Sequence, residues 1–141
     1  MQASTPVVTT NRRRTITLTN QAPVQIVEDE WPVIAQGAHG ADLSSEPFGA
    51  EISIRVRREN KPPGRFIIHA SYRCRNEIND GRSQAVRVGR LLDAHDAGVE
   101  LEAHILAVGQ ELRERIDDED ARKNVTHALD DCFADLSPRE L

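Results

Sequence analysis

The sequence predicts an α+β fold, in which an antiparallel sheet of three to five strands has one face covered by two C-terminal helices. In three segments between residues 52 and 92, apolar and polar residues alternate with the period of two that a half-buried strand requires. After Asp96 the apolar residues recur with a helical period. A one-faced sheet followed by amphipathic helices buries both apolar surfaces by packing as two layers.

Length and composition favour a single globular domain. The chain has 141 residues, of which 38% are apolar and 29% charged, as in folded proteins. We predict a disordered tail over residues 1–13, because its start is small, polar and aperiodic, and one domain over residues 14–141. No apolar run approaches the roughly 20 residues that cross a bilayer, and no secretory signal is recognisable. The expectation is a cytoplasmic protein with no membrane partner and with its two cysteines as free thiols.

The first third of the domain mixes strand and turn signals. TITLTN and PVQIV predict one strand, or two short strands broken near Pro23. The segment EDEWPVIAQG predicts a short helix from Asp29 to Gln36, with acidic residues at its start and Gly37 at its end. A strand through Val33 and Ile34 is the alternative. GAHGADLSSEPFG, with three glycines and a proline, predicts a loop.

The segment ISIRVRRENKPPGRFIIHASYRCR, residues 52–75, predicts a β-hairpin. Its core face carries a series of apolar residues: Ile52, Ile54, Val56, Phe66, Ile68, Ala70, Tyr72 and Cys74. Pairing Val56 with Phe66 and Ile54 with Ile68 leaves a turn through residues 60–63. QAVRVGRLL predicts a third strand, reached through a turn at Asn79, Asp80 and Gly81.

Two amphipathic helices are predicted after the sheet. The first extends from about Val99 to Ile116 on the stripe Leu101, Ile105, Val108, Leu112 and Ile116. The acidic run DDED, residues 117–120, predicts the start of the second helix. Its stripe is Ala121, Val125, Ala128, Leu129, Cys132 and Leu136, and Ser137 and Pro138 end it.

Charge is polarised along the chain, which carries a net charge of −5 overall. Residues 51–90 contain ten basic and four acidic side chains, a net of +6, and residues 91–141 contain five basic and fourteen acidic, a net of −9. The alternation puts six arginines on the sheet face opposite the helices, and these are the predicted binding residues: Arg55, Arg57, Arg65, Arg73, Arg75 and Arg87.

Both charged surfaces suggest binding functions. Clustered arginines can bind nucleic acid or another polyanion, although a plain solvated sheet face is the alternative, and the alternation turns Phe66 and Tyr72 away from any base-stacking platform. Carboxylates on two helices can attract a basic partner surface. The predicted function is a small non-enzymatic binding protein with a protein or nucleoprotein partner. Direct nucleic-acid binding is the runner-up, and open sheet edges would permit a homodimer.

An enzyme is the third hypothesis. The five histidines and two cysteines lack metal-ligand spacing, and the chain has no phosphate-binding loop or nucleophile motif. His95 and Asp96, with His69 nearby, are the one group that could act as a general acid and base, and helix capping is the simpler role. We therefore predict no cofactor, no metal and no catalytic residue.

Four segments carry a resemblance: VEDEWPVIAQGA, SIRVRRE, FIIHASYR and the terminal CFADLSPREL. Over residues 23–141 the chain resembles a group of uncharacterised small proteins from GC-rich bacteria and their phages or mobile elements. The resemblance implies a mobile-element setting, in which small inhibitors of host defence such as anti-CRISPR proteins occur. It carries over no functional residue.

Overall fold

The structure, a computed structural model, describes residues 12–41, 43, 45, 48–75 and 83–136, with backbone alone for residues 83, 84 and 95–99. The strands are β1 (Arg13–Ile16), β2 (Val24–Val27), β3 (Val33–Gly40), β4 (Gly49–Arg58), β5 (Phe66–Arg75) and β6 (Ser83–Leu92). The helices are α1 (Ala94–Glu114) and α2 (Glu119–Leu136), and a 3₁₀ turn spans Glu28–Glu30. The sequence predictions for residues 1–11, the turn at Asn79, Asp80 and Gly81, and the helix end at Ser137 and Pro138 lie outside the described residues.

Strands β3, β4, β5 and β6 form one antiparallel sheet in that order, and α1 and α2 pack on one of its faces. The α+β prediction is thereby confirmed. The predicted alternation also holds, because Ile52, Ile54 and Val56 of β4 are at most 1% exposed. They join the main core with both helical stripes, including Ile105, Val108, Leu112, Val125, Leu129 and Cys132.

The register of the β4–β5 hairpin differs from the prediction by two residues. Val56 pairs with Ile68, and Phe66 pairs with Arg58 rather than with Val56. The connection is longer than predicted and is closed by a backbone hydrogen bond from Glu59 N–H to the Arg65 carbonyl (2.8 Å). A shift by two keeps every side chain on its face, so alternation alone could not distinguish the two registers.

The segment predicted as a short helix, Asp29–Gln36, contains the end of a 3₁₀ turn and, from Val33, the start of β3, so the helix prediction was wrong and the strand alternative is confirmed. The acidic residues form only the 3₁₀ turn, and β3 then pairs with β4 as far as Gly40, inside the predicted loop. Gly37 does not end a helix: a Cβ there would lie 2.7 Å from the Cys132 backbone nitrogen and would clash with the Ala128 carbonyl. Close contact with α2 therefore explains this glycine.

Helix α1 begins at Ala94, earlier than the predicted Val99, and ends at Glu114 rather than Ile116. Its Glu100 has non-helical backbone angles, which mark a kink in the first turns. The apolar stripe begins only at Leu101, so the sequence period could not indicate the turn before it. The second helix begins at Glu119 within the predicted acidic run, where Asp118 Oδ1 accepts a hydrogen bond from the Asp120 N–H (2.9 Å).

The other face of the sheet is covered by an outer layer, made of β1, β2, Leu18 and Trp31. These residues build a second core of Ile16, Leu18, Ile26 and Trp31 around Ile67 of β5, which is 0% exposed. Thr19 ties the layer to β6, since its N–H donates to the Gly89 carbonyl (2.9 Å) and its hydroxyl accepts from the Gly89 N–H (3.2 Å). The arginine face predicted to be open is therefore partly covered, with Arg57 and Ile67 buried and Arg87 still exposed.

Candidate functional site

The six predicted binding arginines do not share one environment. Arg57 is only 4% exposed and donates hydrogen bonds to the Trp31 carbonyl and to His69 Nε2, each at 3.1 Å. Arg65 donates to both carboxylate oxygens of Glu59 at 3.0 Å and lies over the Trp31 ring, 5.3 Å from its centroid. Arg57 thus holds the outer layer in place, and Glu59 neutralises Arg65.

Two more of these arginines contact groups at the far end of β5. Arg73 pairs with Glu51 (3.4 Å), and Arg75 Nη1 donates to the Leu43 carbonyl (3.4 Å). Four of the six arginines are therefore engaged by the protein's own groups. Arg55 and Arg87 remain, and both line the same pocket.

The basic pocket lies between β1 and the outer face of the sheet and has a volume of about 70 Å³. Its polar lining consists mainly of Arg14, Arg55, Arg87, His69, Ser53 and Ser71. Thr15 of β1 and Thr17, directly after this strand, complete it. Strands β4, β5 and β6 each contribute because outward-facing residues of neighbouring strands lie side by side. The sequence indicated Arg55 and Arg87, but it gave no sign that Arg14 would join them.

Positive charge in this region is poorly compensated. Burial, and then the positive charge of Arg14, lower the pKa of Arg55 below that of a free guanidinium. The same two causes lower the pKa of Arg57. The Nε atom of Arg55 is buried and has no hydrogen-bond acceptor among the described residues. An arginine in such a place is stabilised by any group that brings negative charge.

His69 is held as a neutral imidazole. Its Nε2 accepts from Arg57 Nε, and because a guanidinium can only donate, the ring proton must be on Nδ1. Burial, followed by the charges of Arg57, Arg14 and Arg55, lowers the pKa of His69 to about 3. The ring of His69, a residue that lines the pocket, therefore has an N–H donor at Nδ1 at neutral pH.

The low pKa of His69 predicts a stability that depends on pH. Between about pH 6.5, the ordinary pKa of histidine, and the folded value, the unfolded chain binds a proton at His69 and the folded protein does not. Stability should be greatest above this range and fall on acidification, by at most about 1.4 kcal/mol per pH unit. Urea unfolding from about pH 7.5 down to about pH 4.5 measures this slope.

The matched test replaces His69 with glutamine, whose amide oxygen can still accept from Arg57. His69→Gln should therefore flatten the pH profile of stability relative to the wild type. Equal slopes in the wild type and His69→Gln would contradict the assignment.

The acidic helical surface lies on the opposite side of the molecule. We define it by ten exposed carboxylates: Glu100, Glu102, Glu114, Asp117, Asp118, Glu119, Asp120, Asp130, Asp131 and Asp135. None of these ten forms an ion pair with a described lysine or arginine. Glu111 of α1, which is not among the ten, forms an ion pair with Arg90 at 2.7 Å. The same stretch has two exposed cations, Arg115 and Lys123.

The structure does not show the residues considered as a general acid and base, His69, His95 and Asp96, as one group of described side chains. His69 lies in the basic pocket, and the side chains of His95 and Asp96 lie outside the described residues. Within the described part of the chain, no group of three or more His, Cys, Asp or Glu side chains is placed to hold a metal ion. Cys132 is buried, and burial raises the pKa of its thiol to about 12. Its thiolate, the reactive form of a cysteine, is therefore strongly disfavoured.

In comparisons with known proteins, no family model matches the chain, and no curated protein and no solved structure matches it. None of the helices in the described ranges is long and apolar enough to span a membrane.

Proposed function

We propose that the protein is a small non-enzymatic binding domain that contacts a basic surface of a protein or nucleoprotein partner through its acidic helical surface. The observation that carries this proposal is the contrast between the two charged sides. Most arginines of the sheet face are engaged within the molecule, whereas the ten carboxylates of the acidic helical surface are exposed and form no ion pair with a described lysine or arginine.

The chemistry of such a surface suggests the class of partner. A dense array of carboxylates produces a negative potential, which attracts proteins whose own sites carry lysines and arginines and speeds their association. Proteins that bind nucleic acid have such sites, because they contact phosphates. An inhibitor of a nucleic-acid-binding defence complex, the anti-CRISPR type suggested by the sequence resemblance, would act in this manner.

Direct nucleic-acid binding remains the alternative function. It would depend on Arg87, together with the exposed Arg12 and Arg13 beside the outer layer. Against it, Arg57 is buried and Arg65 and Arg73 already bind carboxylates, so few cations of the sheet face are available to phosphates. Duplex or single-stranded nucleic acid would also be repelled by the negative net charge at long range.

Affinity capture with charge-reversed baits tests the proposal. The acid-reversed bait carries Asp130→Lys and Asp131→Lys, and the base-reversed bait carries Arg12→Glu and Arg13→Glu. All four positions are exposed, so circular dichroism should show an unchanged fold. We expect the wild type and the base-reversed bait to capture the same partner from the native cell. The acid-reversed bait should capture about tenfold less of this partner, or none.

Nuclease treatment and salt separate the alternatives. Capture should survive nuclease and weaken between low and high salt, because exposed charge pairs are screened. A partner that is retained by the acid-reversed bait contradicts the proposal. Loss of capture after nuclease and with the base-reversed bait would favour direct nucleic-acid binding instead.

A further inference from the structure

We propose that the basic pocket is a binding site for a single tetrahedral oxyanion, a phosphate or sulfate group, held between β1 and the outer face of the sheet. The site is separate from the proposed partner surface, because the acidic helices pack on the other face of the sheet. Its test therefore does not depend on that function.

Among the described residues that line the pocket there is no aspartate or glutamate, and three of them are arginines: Arg14, Arg55 and Arg87. Arg14 is partly neutralised, because its Nη1 donates to Glu28 at 3.3 Å, and the nearby Glu51 accepts from Arg73 at 3.4 Å. Arg55 and Arg87 form no ion pair with a described carboxylate. Arginines without such a partner bind phosphate-like groups strongly through charge-assisted hydrogen bonds.

Two donors of this site are set in advance by the fold. The buried Arg55 Nε has no acceptor among the described residues, and leaving a buried donor unpaired is costly. His69 accepts from Arg57 on one nitrogen, so its other nitrogen carries the proton and can donate. The hydroxyls of Ser53 and Ser71 add adaptable donors. An oxyanion accepts from all of these groups, whereas a cation would be repelled by the three arginines.

The size of the pocket limits its ligand. A volume of about 70 Å³ is several times the roughly 10–15 Å³ that one water needs, so a group with four oxygens can enter. An oxyanion that carries a nucleobase or a sugar would exceed this volume. Only the oxyanion itself can be enclosed, so any ester substituent must extend out of the pocket.

Titration with simple anions tests the site. Sodium sulfate and, separately, inorganic phosphate are added to the full chain at constant ionic strength, and amide chemical shifts are followed by NMR. We expect saturable shifts that are centred on β1, on Ser53 and Arg55 of β4, and on Arg87. Arg87→Gln, at an exposed position, should weaken binding by about tenfold, the loss of one charge-assisted hydrogen bond.

Arg115→Gln is the matched control, because it removes the same charge from an exposed position in the helical half of the chain. It should leave the affinity unchanged within about twofold, since a distant exposed charge is screened. Arg55→Gln should weaken binding as Arg87→Gln does, provided that its spectrum remains folded. Equal affinities of Arg87→Gln and Arg115→Gln, or shifts that increase without saturation, would overturn the proposal.

A nucleoside monophosphate distinguishes the two sources of the group. If it binds with the same variant dependence as inorganic phosphate, the site recognises a phosphate ester through its opening. If inorganic phosphate and sulfate bind and the ester does not, the site takes the free ion. If none of the three binds, the assignment is wrong.

Discussion

Trp31→Ala is expected to lower the free energy of unfolding by about 3–5 kcal/mol, the usual cost of removing a buried tryptophan side chain. Trp31 is 6% exposed and is the largest residue of the second core, where it packs with Ile16, Leu18 and Ile26 against the sheet. Without its ring, these side chains lose their common partner. The outer layer should then separate from β5 and leave Ile67 open to water.

Urea unfolding followed by far-ultraviolet circular dichroism measures this loss, since the variant has no tryptophan left for fluorescence. Hydrogen exchange should show the largest loss of protection in β1 and β2. Trp31→Phe is the control, because it keeps an aromatic ring below Arg65 and should retain most of the stability. An unchanged urea midpoint in Trp31→Ala would mean that the outer layer adds nothing to the fold.

Gly37→Ala is the second change with a large expected effect, a loss of about 3 kcal/mol. The new methyl group would overlap the Ala128 carbonyl and lie 2.7 Å from the Cys132 nitrogen. Both are backbone atoms of α2, so no side chain can rotate away and the helix itself must shift. That shift would also break the hydrogen bond from the Gln36 N–H to Asp135 Oδ2 (3.0 Å).

Ala38→Ser is the matched control for Gly37→Ala, because it adds one heavy atom at the neighbouring exposed position of the same strand. It should change stability by less than about 0.5 kcal/mol, as surface substitutions usually do. Chemical unfolding of both variants gives the comparison. If Gly37→Ala were as stable as Ala38→Ser, the close packing of α2 on β3 would be disproved.

The parts of the fold that were predictable carry their information in apolar periodicity. Ile52, Ile54 and Val56 define a core face whatever the register, and the stripes of α1 and α2 define their buried sides. Strand β3 was predicted only as the alternative to a helix, because its buried positions are Ala35 and Gly37, which are small to fit against α2 and give little apolar signal. Packing against a distant helix overrode the local preference.

One residue of the sequence does indicate the outer layer, although apolar periodicity alone does not reveal it. Ile67 falls among arginines on the face predicted to be polar, and it is fully buried under Trp31 and its neighbours. An apolar residue between Phe66 and Ile68 indicates a strand covered on both faces. The candidate site was predictable to the same extent: Arg55, His69 and Arg87 follow from alternation, whereas Arg14 joins them only through contacts distant in sequence.

The ties between the outer layer and β6 also constrain the order in which the molecule can be completed. Thr19 forms hydrogen bonds with Gly89, 70 positions further along the chain. Trp31 packs in the same core as Ile67, which is synthesised after it. During synthesis from the N-terminus, Ile16, Leu18, Ile26 and Trp31 leave the ribosome before the strands that shelter them exist. Closing so long a loop is entropically costly until the meander of β3 to β6 has formed. The outer layer therefore cannot reach its native position until β5 and β6 have been synthesised.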